Sequence, residues 1–347
     1  METVSFHGIS YSIFKNEPAT LYCALAESAR KYPDHTALVS PEKQSYTFEK
    51  FLEMTDSFAA CLEQKWNITK GCVVGLLHYN SVEFCTALLA LNKLGAITVP
   101  LPGKFRQQEI LSLIEKAEIS FLICYEDYAD WFSGNSRLSG RILVFPENQA
   151  DSLFLTEGVK TGSALCTDRE APALLMFTSG TTSRSKGVIL CNYNFMHAVC
   201  SYQKIFHITC CDRTLLAVPI YHITGLAAIL GLMLFSGGTV FLHKFFHPEE
   251  AAKTMKKERI TFFHAFKGTG EGSGPSGYEA SCMRKQQYGS GQNRSPASVD
   301  APYGIPDCLR TYGNHKSCHN FSGGCSHKPL YRLFRDSHSR IVMQDRQ

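Results

Sequence analysis

Thr178-Ser179-Gly180-Thr181-Thr182-Ser183-Arg184-Ser185-Lys186-Gly187 is the stretch around which the rest of the chain falls into order. The apolar run Ala173-Leu174-Leu175-Met176-Phe177 leads into it and Val188-Ile189-Leu190 leads out. That pattern predicts a buried strand, a hydroxyl-rich loop, and then a second strand or the entry to a helix. Small residues let backbone approach a ligand closely, and hydroxyls with exposed N–H groups donate to phosphate oxygens. Lys186 adds a compact positive charge suited to a polyphosphate. The loop is not a Walker P-loop, which requires G-x-x-x-x-G-K-[ST]. Here Gly180 stands too far ahead of Lys186, Ser185 precedes the lysine and Gly187 follows it.

Upstream, strand and helix signals alternate. Thr20 is placed to cap a helix running to about Tyr32, where Pro33 stops it. Thr36–Ser40 and Ser45–Phe48 read as a hairpin. A helical period over Phe48, Phe51, Leu52, Thr55, Phe58, Ala59 and Leu62 follows, then an apolar strand at Cys72–Leu77. Asn80-Ser81 opens a helix to Leu94, with Gly95 at the position a closing glycine takes. Ile97–Leu101, Gln107–Ala117, Ile119–Cys124 and Arg141–Phe145 read as strand, helix, strand and strand. Beyond the loop, a helix is predicted over Asn192–Ile205 and a strand over Thr214–Val218. An apolar helix over Thr224–Phe235, a strand over Thr239–Phe245, a helix from Pro248 to Lys257 and a strand over Ile260–Phe266 complete the series. The fold class expected is α/β, with mixed or parallel sheets flanked by helices.

The order ends at Phe266. Residues 267–347 are dominated by Gly, Ser, Pro, Arg and His, hold no lasting period and carry too few large apolar residues for a core. The chain therefore divides into an organised part, 1–266, and a low-complexity tail, 267–347, read as disordered and as an alternative or out-of-frame carboxyl terminus. Cys308, Cys318, Cys325, His315, His319 and His327 lack the paired spacing of a zinc site.

Composition excludes several classes. With 44% hydrophobic residues in 347, the chain is globular, and a net charge of +4 offers no electrostatic case for nucleic acid. The longest apolar run, Ile223–Phe235, is too short for a transmembrane segment and contains glycines. No secretory signal is visible at the amino terminus. Fourteen cysteines without framework spacing point to reduced thiols and a cytoplasmic location. The vicinal pair Cys210-Cys211 reads as packing rather than chemistry.

The stretch at 178 resembles the signature of the AMP-forming, adenylate-forming ligases: acyl-CoA synthetases, luciferase and peptide-synthetase adenylation domains. Thr178, Ser179, Gly180, Thr181, Thr182, Lys186 and Gly187 match it; Ser183 stands where that family has Gly and Ser185 where it has Pro. Leu94-Gly95-Ala96-Ile97-Thr98-Val99-Pro100-Leu101 and the following Glu109 are similar to a second family segment. Pro219-Ile220-Tyr221-His222-Ile223-Thr224-Gly225 is similar to a third, whose aromatic or His residue lines the carboxylate pocket and moves between half-reactions. The resemblance implies that a carboxylic acid is activated with ATP to an acyl-adenylate and passed to a thiol, usually coenzyme A, with Mg2+ as metal. It also implies that Thr178, Ser179, Gly180, Thr181, Thr182, Ser183, Lys186 and Gly187 hold phosphate and that Thr182 lies at the metal. Lys186 and His222 are then the catalytic candidates. The family's Tyr-Gly-x-Thr-Glu segment, ribose-binding Asp, Arg and carboxyl-terminal Lys have no counterpart in credible context. Tyr303-Gly304-Ile305-Pro306-Asp307 imitates the first by chance. The rival expectation is a catalytically inactive fragment that binds nucleotide weakly or binds a protein partner. Neither the acyl substrate nor such a partner can be read from these residues.

Overall fold

The computed structural model describes residues 2–6, 9–132, 134–145, 164–178, 186–268 and 278–284. Their first element is a hairpin of β1 (Glu2–Phe6) and β2 (Ile9–Ile13), paired antiparallel. Arg169 ties the chain just after it to the segment that leads toward the signature. Its guanidinium bonds the Glu17 carboxylate at 3.3 Å, the Pro18 carbonyl at 3.3 Å and, most closely, the Glu17 carbonyl.

Three helices, separated by strands, follow in the chain. Helix α1 (Leu21–Lys31) starts where Thr20 Oγ1 accepts from Cys23 N at 3.1 Å. Helix α2 (Phe48–Trp66) is capped by Thr47 in the same way and buries Phe48, Phe51, Met54 and Phe58, an apolar stripe at helical spacing. Helix α3 (Val82–Leu94) is capped by Ser81, is buried on all sides, and ends at Gly95 in the left-handed conformation that a glycine adopts without strain.

Among the described residues two six-stranded sheets form. The first has the order β10-β9-β6-β5-β7-β8, from β5 (Val73–Leu77), β6 (Ile97–Pro100), β7 (Phe121–Tyr125), β8 (Ile142–Phe145), β9 (Pro172–Thr178) and β10 (Lys186–Cys191). All neighbours in it run parallel except β9 and β10. Helix α4 (Gln107–Lys116) bridges β6 and β7, and its Ile110, Leu113 and Ile114 join the core of this sheet. The second has the order β14-β13-β11-β12-β3-β4, from β3 (Thr36–Val39), β4 (Ser45–Thr47), β11 (Arg213–Leu216), β12 (Thr239–Leu242), β13 (Phe262–Gly268) and β14 (Tyr278–Arg284). Its inner strands are parallel, and the hairpin β3–β4 and the outer β14 are antiparallel additions. Helix α5 (Asn192–Phe206) joins the sheets, and α7 (Pro248–Lys257) connects β12 to β13.

Two features depart from the sequence reading. The apolar run after His222 is not one α-helix: Thr224–Gly231 is π-helical and passes directly into α6 (Leu232–Ser236). A segment apolar on all sides has no period from which the wider turn could be read. The last strand also lies past the expected end of order, since β13 runs to Gly268 and pairs with β14 across Phe262–Arg284 to Gly268–Tyr278. No helix among the described residues is long and apolar enough to cross a membrane.

Candidate functional site

The signature spans the tip of an antiparallel hairpin. Thr178 ends β9, Lys186 begins β10, and the two stand opposite each other in register. Lys186 and Gly187 are exposed. Ser179, Gly180, Thr181, Thr182 and Ser183 lie outside the described residues, as does the side chain of Thr178. Because β9 runs parallel to β6, paired through Thr98 and Leu174, Thr178 emerges on the edge where β6 hands over to Pro102-Gly103-Lys104. In open α/β sheets ligands bind beyond the carboxyl ends of the strands, and this is that edge.

Asn80 ties the second sheet to the first at the same edge. Asn80 follows β5 and is buried. Its Nδ2 donates to the carbonyls of Val218 at 2.9 Å, His243 at 3.0 Å and Leu216 at 3.4 Å; its Oδ1 accepts from Ile220 N at 2.8 Å. The amide thus satisfies backbone left over where β11 and β12 end, and it fixes the path of Pro219-Ile220-Tyr221-His222. Sequence reading took Asn80 for a helix opener; its partners are too distant along the chain for any local pattern to show.

His222 sits where the backbone turns into the π-helical segment: its N–H donates to Pro219 O and its C=O accepts from Leu226 N, each at 3.1 Å. Gly225 makes the turn possible, because a Cβ there would meet Ile220 Cα at 3.0 Å and Pro219 O at 3.1 Å. That contact is the physical reason for the Pro219-to-Gly225 spacing. The imidazole is exposed on one side and crowded by protein on the other, with the Tyr221 ring centroid 4.6 Å away. Burial first, then the positive charge of Lys104, pushes its pKa down to about 4. At neutral pH it is an uncharged ring that can move past an anion or accept a hydrogen bond. Lys104 follows β6 of the first sheet and His222 follows β11 of the second, so the loops leaving the two sheets come near each other here.

Beside them lies an aromatic wall that sequence reasoning missed. Tyr79 follows β5, Tyr125 ends β7, and Phe245 follows β12. Tyr79 packs on Tyr125 at 5.2 Å and on Phe245 at 5.0 Å between ring centroids. Lys244 Nζ lies 5.0 Å over the Tyr79 ring and 4.8 Å over that of Tyr125, a cation on two aromatic faces. Phe245 remains half exposed, offering a flat face to a planar group.

His78 anchors this wall from below. It is 4% exposed, its Nδ1 lies 2.9 Å from Ser81 Oγ, and its Nε2 has no hydrogen-bond partner among the described residues. Burial pushes its pKa down to about 4, and does the same to His264 on β13. An unfolded histidine takes its proton near 6.5, so between about pH 6.5 and 4 the unfolded chain binds more protons. Stability is complete above that window and falls as the pH drops through it, by up to about 1.4 kcal/mol per pH unit for each histidine. Urea unfolding at pH 7, 6 and 5 should show the fall, and His78→Gln should reduce its slope by roughly a third, since His222 and His264 contribute alongside it. Equal slopes in the two proteins would contradict this account.

A family model matches most of this chain. The AMP-binding enzyme model covers residues 25–267. The chain belongs to the AMP-binding enzyme family. Oxalate–CoA ligase of Arabidopsis thaliana is 29% identical over 64% of this chain and 45% of its own length. The 2-succinylbenzoate–CoA ligase of Listeria innocua is 29% identical over 68% of this chain and 48% of its own. Among solved structures, the o-succinylbenzoate coenzyme A synthetase of Bacillus subtilis in complex with ATP and magnesium ion superposes with a TM-score of 0.59 at 26% identity. That match covers 69% of this chain and 62% of that one. The chain spans about half the length of the curated relatives it matches.

Proposed function

We propose that this chain carries the triphosphate-gripping and carboxylate-gating parts of an AMP-forming acid–CoA ligase. What supports the reading is the placement of Lys186 at the mouth of the β9–β10 hairpin, on the carboxyl edge of the first sheet, together with a neutral His222 that feels the charge of Lys104 from the loop after β6 of that sheet. The residues fit the substrate: exposed Lys186 and Lys104 supply positive charge, and the hairpin tip between Thr178 and Lys186 supplies the hydroxyls and N–H groups of the signature. Thr178, Ser179, Gly180, Thr181, Thr182, Ser183 and Gly187 are the proposed phosphate contacts. Thr182 is the proposed hydroxyl at Mg2+, which when bound neutralises the phosphate oxygens.

In the proposed reaction a carboxylate oxygen attacks the α-phosphorus of ATP, and the bond from that phosphorus to the bridging oxygen breaks. Pyrophosphate leaves with the electron pair and an acyl-adenylate remains. Lys186 holds the departing β- and γ-phosphates, which lowers the barrier by positioning and charge stabilisation. His222, uncharged, clears the carboxylate path and then admits the thiol of coenzyme A. Reduced thiols at all cysteines whose side chains are described suit a cytoplasmic setting.

A specific observation favours a second reading: the family match ends at residue 267, close to the proposed boundary at 266. On that reading residues 1–266 bind nucleotide without turning it over, and 267–347 is a separate tail. The deciding experiment is exchange of labelled pyrophosphate into ATP over a panel of carboxylic acids, with dicarboxylates, aryl acids and fatty acids included. Acid-dependent exchange is the expected result. A folded protein that binds ATP but exchanges with no acid would leave the binding reading in its place.

A further inference from the structure

Cys210 and Cys211 occupy the two central positions of a tight turn between α5 and β11. Asp212 N donates to Thr209 O at 3.1 Å, closing the turn. The Asp212 carboxylate locks it: Oδ2 accepts from Thr209 N at 2.8 Å and Thr209 Oγ1 at 3.1 Å, and Oδ1 accepts from Thr261 Oγ1 at 2.7 Å. The two thiols are side by side on this clamped turn, and the Tyr32 ring and Cys210 Cβ both lie beside Gly237. Gly237 leaves the room for that arrangement, since a Cβ there would meet Tyr32 Cδ2 at 2.5 Å and Cys210 Cβ at 3.2 Å. Cys211 is exposed and Cys210 half-buried, so packing, the role their sequence suggested, does not account for the pair.

A direct disulfide suits this turn poorly. Adjacent Cα atoms are about 3.8 Å apart, closer than the roughly 4.4–6.8 Å that a disulfide spans without strain. A larger atom between the sulfurs avoids that compression, and the locked turn keeps the two residues adjacent with Cys211 exposed. We propose that Cys210 and Cys211 form a dithiol site for a trivalent thiophilic centre of the arsenic(III) class. With phenylarsine oxide as the probe, the arsenic–oxygen double bond is replaced by two As–S bonds. The oxygen leaves with the two thiol protons as one water, and no electrons are transferred. A single thiol loses its arsenical readily to excess competing monothiol; a pair holds it because the second bond forms within one molecule.

The test uses the full reduced chain, one equivalent of phenylarsine oxide, a wash with excess glutathione, and mass mapping of the peptides. The peptide holding residues 210–211 should keep the phenylarsenic bridge through the wash and lose it to 2,3-dimercaptopropanol. In Cys211→Ser, and separately in Cys210→Ser, retention at that peptide should fall on the order of a hundredfold. Retention limited to other peptides, or equal loss to glutathione from the parent and both variants, would overturn the proposal. Cys211 is exposed, so thermal unfolding of its Ser variant should match the parent and separate loss of binding from loss of fold.

Discussion

Asn80→Ala should lower the unfolding free energy by about 4 kcal/mol, because a buried polar group left unpaired costs about 1–3 kcal/mol. The substitution strands the carbonyls of Val218 and His243 and the Ile220 N–H, and it removes the longer bond to Leu216. Partial relaxation of the Pro219–His222 turn keeps the total below a simple sum. Asn80→Asp should be worse than the alanine at neutral pH. It still accepts from Ile220 N, but it presents a buried carboxylate, with no proton to donate, to three carbonyl oxygens. Lowering the pH should protonate it and narrow the gap between the two variants. Urea unfolding of the three proteins at pH 7 and pH 5 measures both effects. A loss under about 1 kcal/mol for the alanine would mean that the sheets are held together by something other than this amide.

Lys186→Ala should weaken ATP binding by roughly 10- to 100-fold while leaving AMP binding unchanged, the worth of about one charge-assisted hydrogen bond. The asymmetry follows from placement: the lysine stands at the hairpin mouth, assigned above to the β- and γ-phosphates, which AMP lacks. Because the residue is exposed at the start of β10, thermal stability should barely change. Titration of both nucleotides with Mg2+ present, followed by calorimetry, reads the ratio. Equal weakening of ATP and AMP would move Lys186 away from the terminal phosphates.

Local chemistry carried most of the elements. Thr20, Ser81 and Gly95 mark helix ends through short-range hydrogen bonds and one left-handed turn, and the structure puts all three at those ends. The hairpin Thr36–Phe48 and the strands at 73–77, 97–100 and 121–125 follow from apolar runs between turn residues. Membership of two different sheets was not readable. β3 joins β12 although more than half of the described chain lies between them, and no local pattern records that pairing. The site was half legible for the same reason. The hairpin and the His222 turn each announce themselves by order of residues, whereas Asn80, Tyr79 and Lys244 act through partners brought close only by the finished fold.

The interleaving of the sheets has a consequence during synthesis on the ribosome. Residues 73–191 supply every strand of the first sheet, so that layer can condense while the chain is still emerging. The second sheet begins with β3 and β4 and then waits until β11 and β12 have been made. Until His243 leaves the exit tunnel, the Asn80 amide lacks its bonding partner just after β12, and the early hairpin exposes an unpaired edge. A nascent chain paused in that interval is the form that a chaperone would engage.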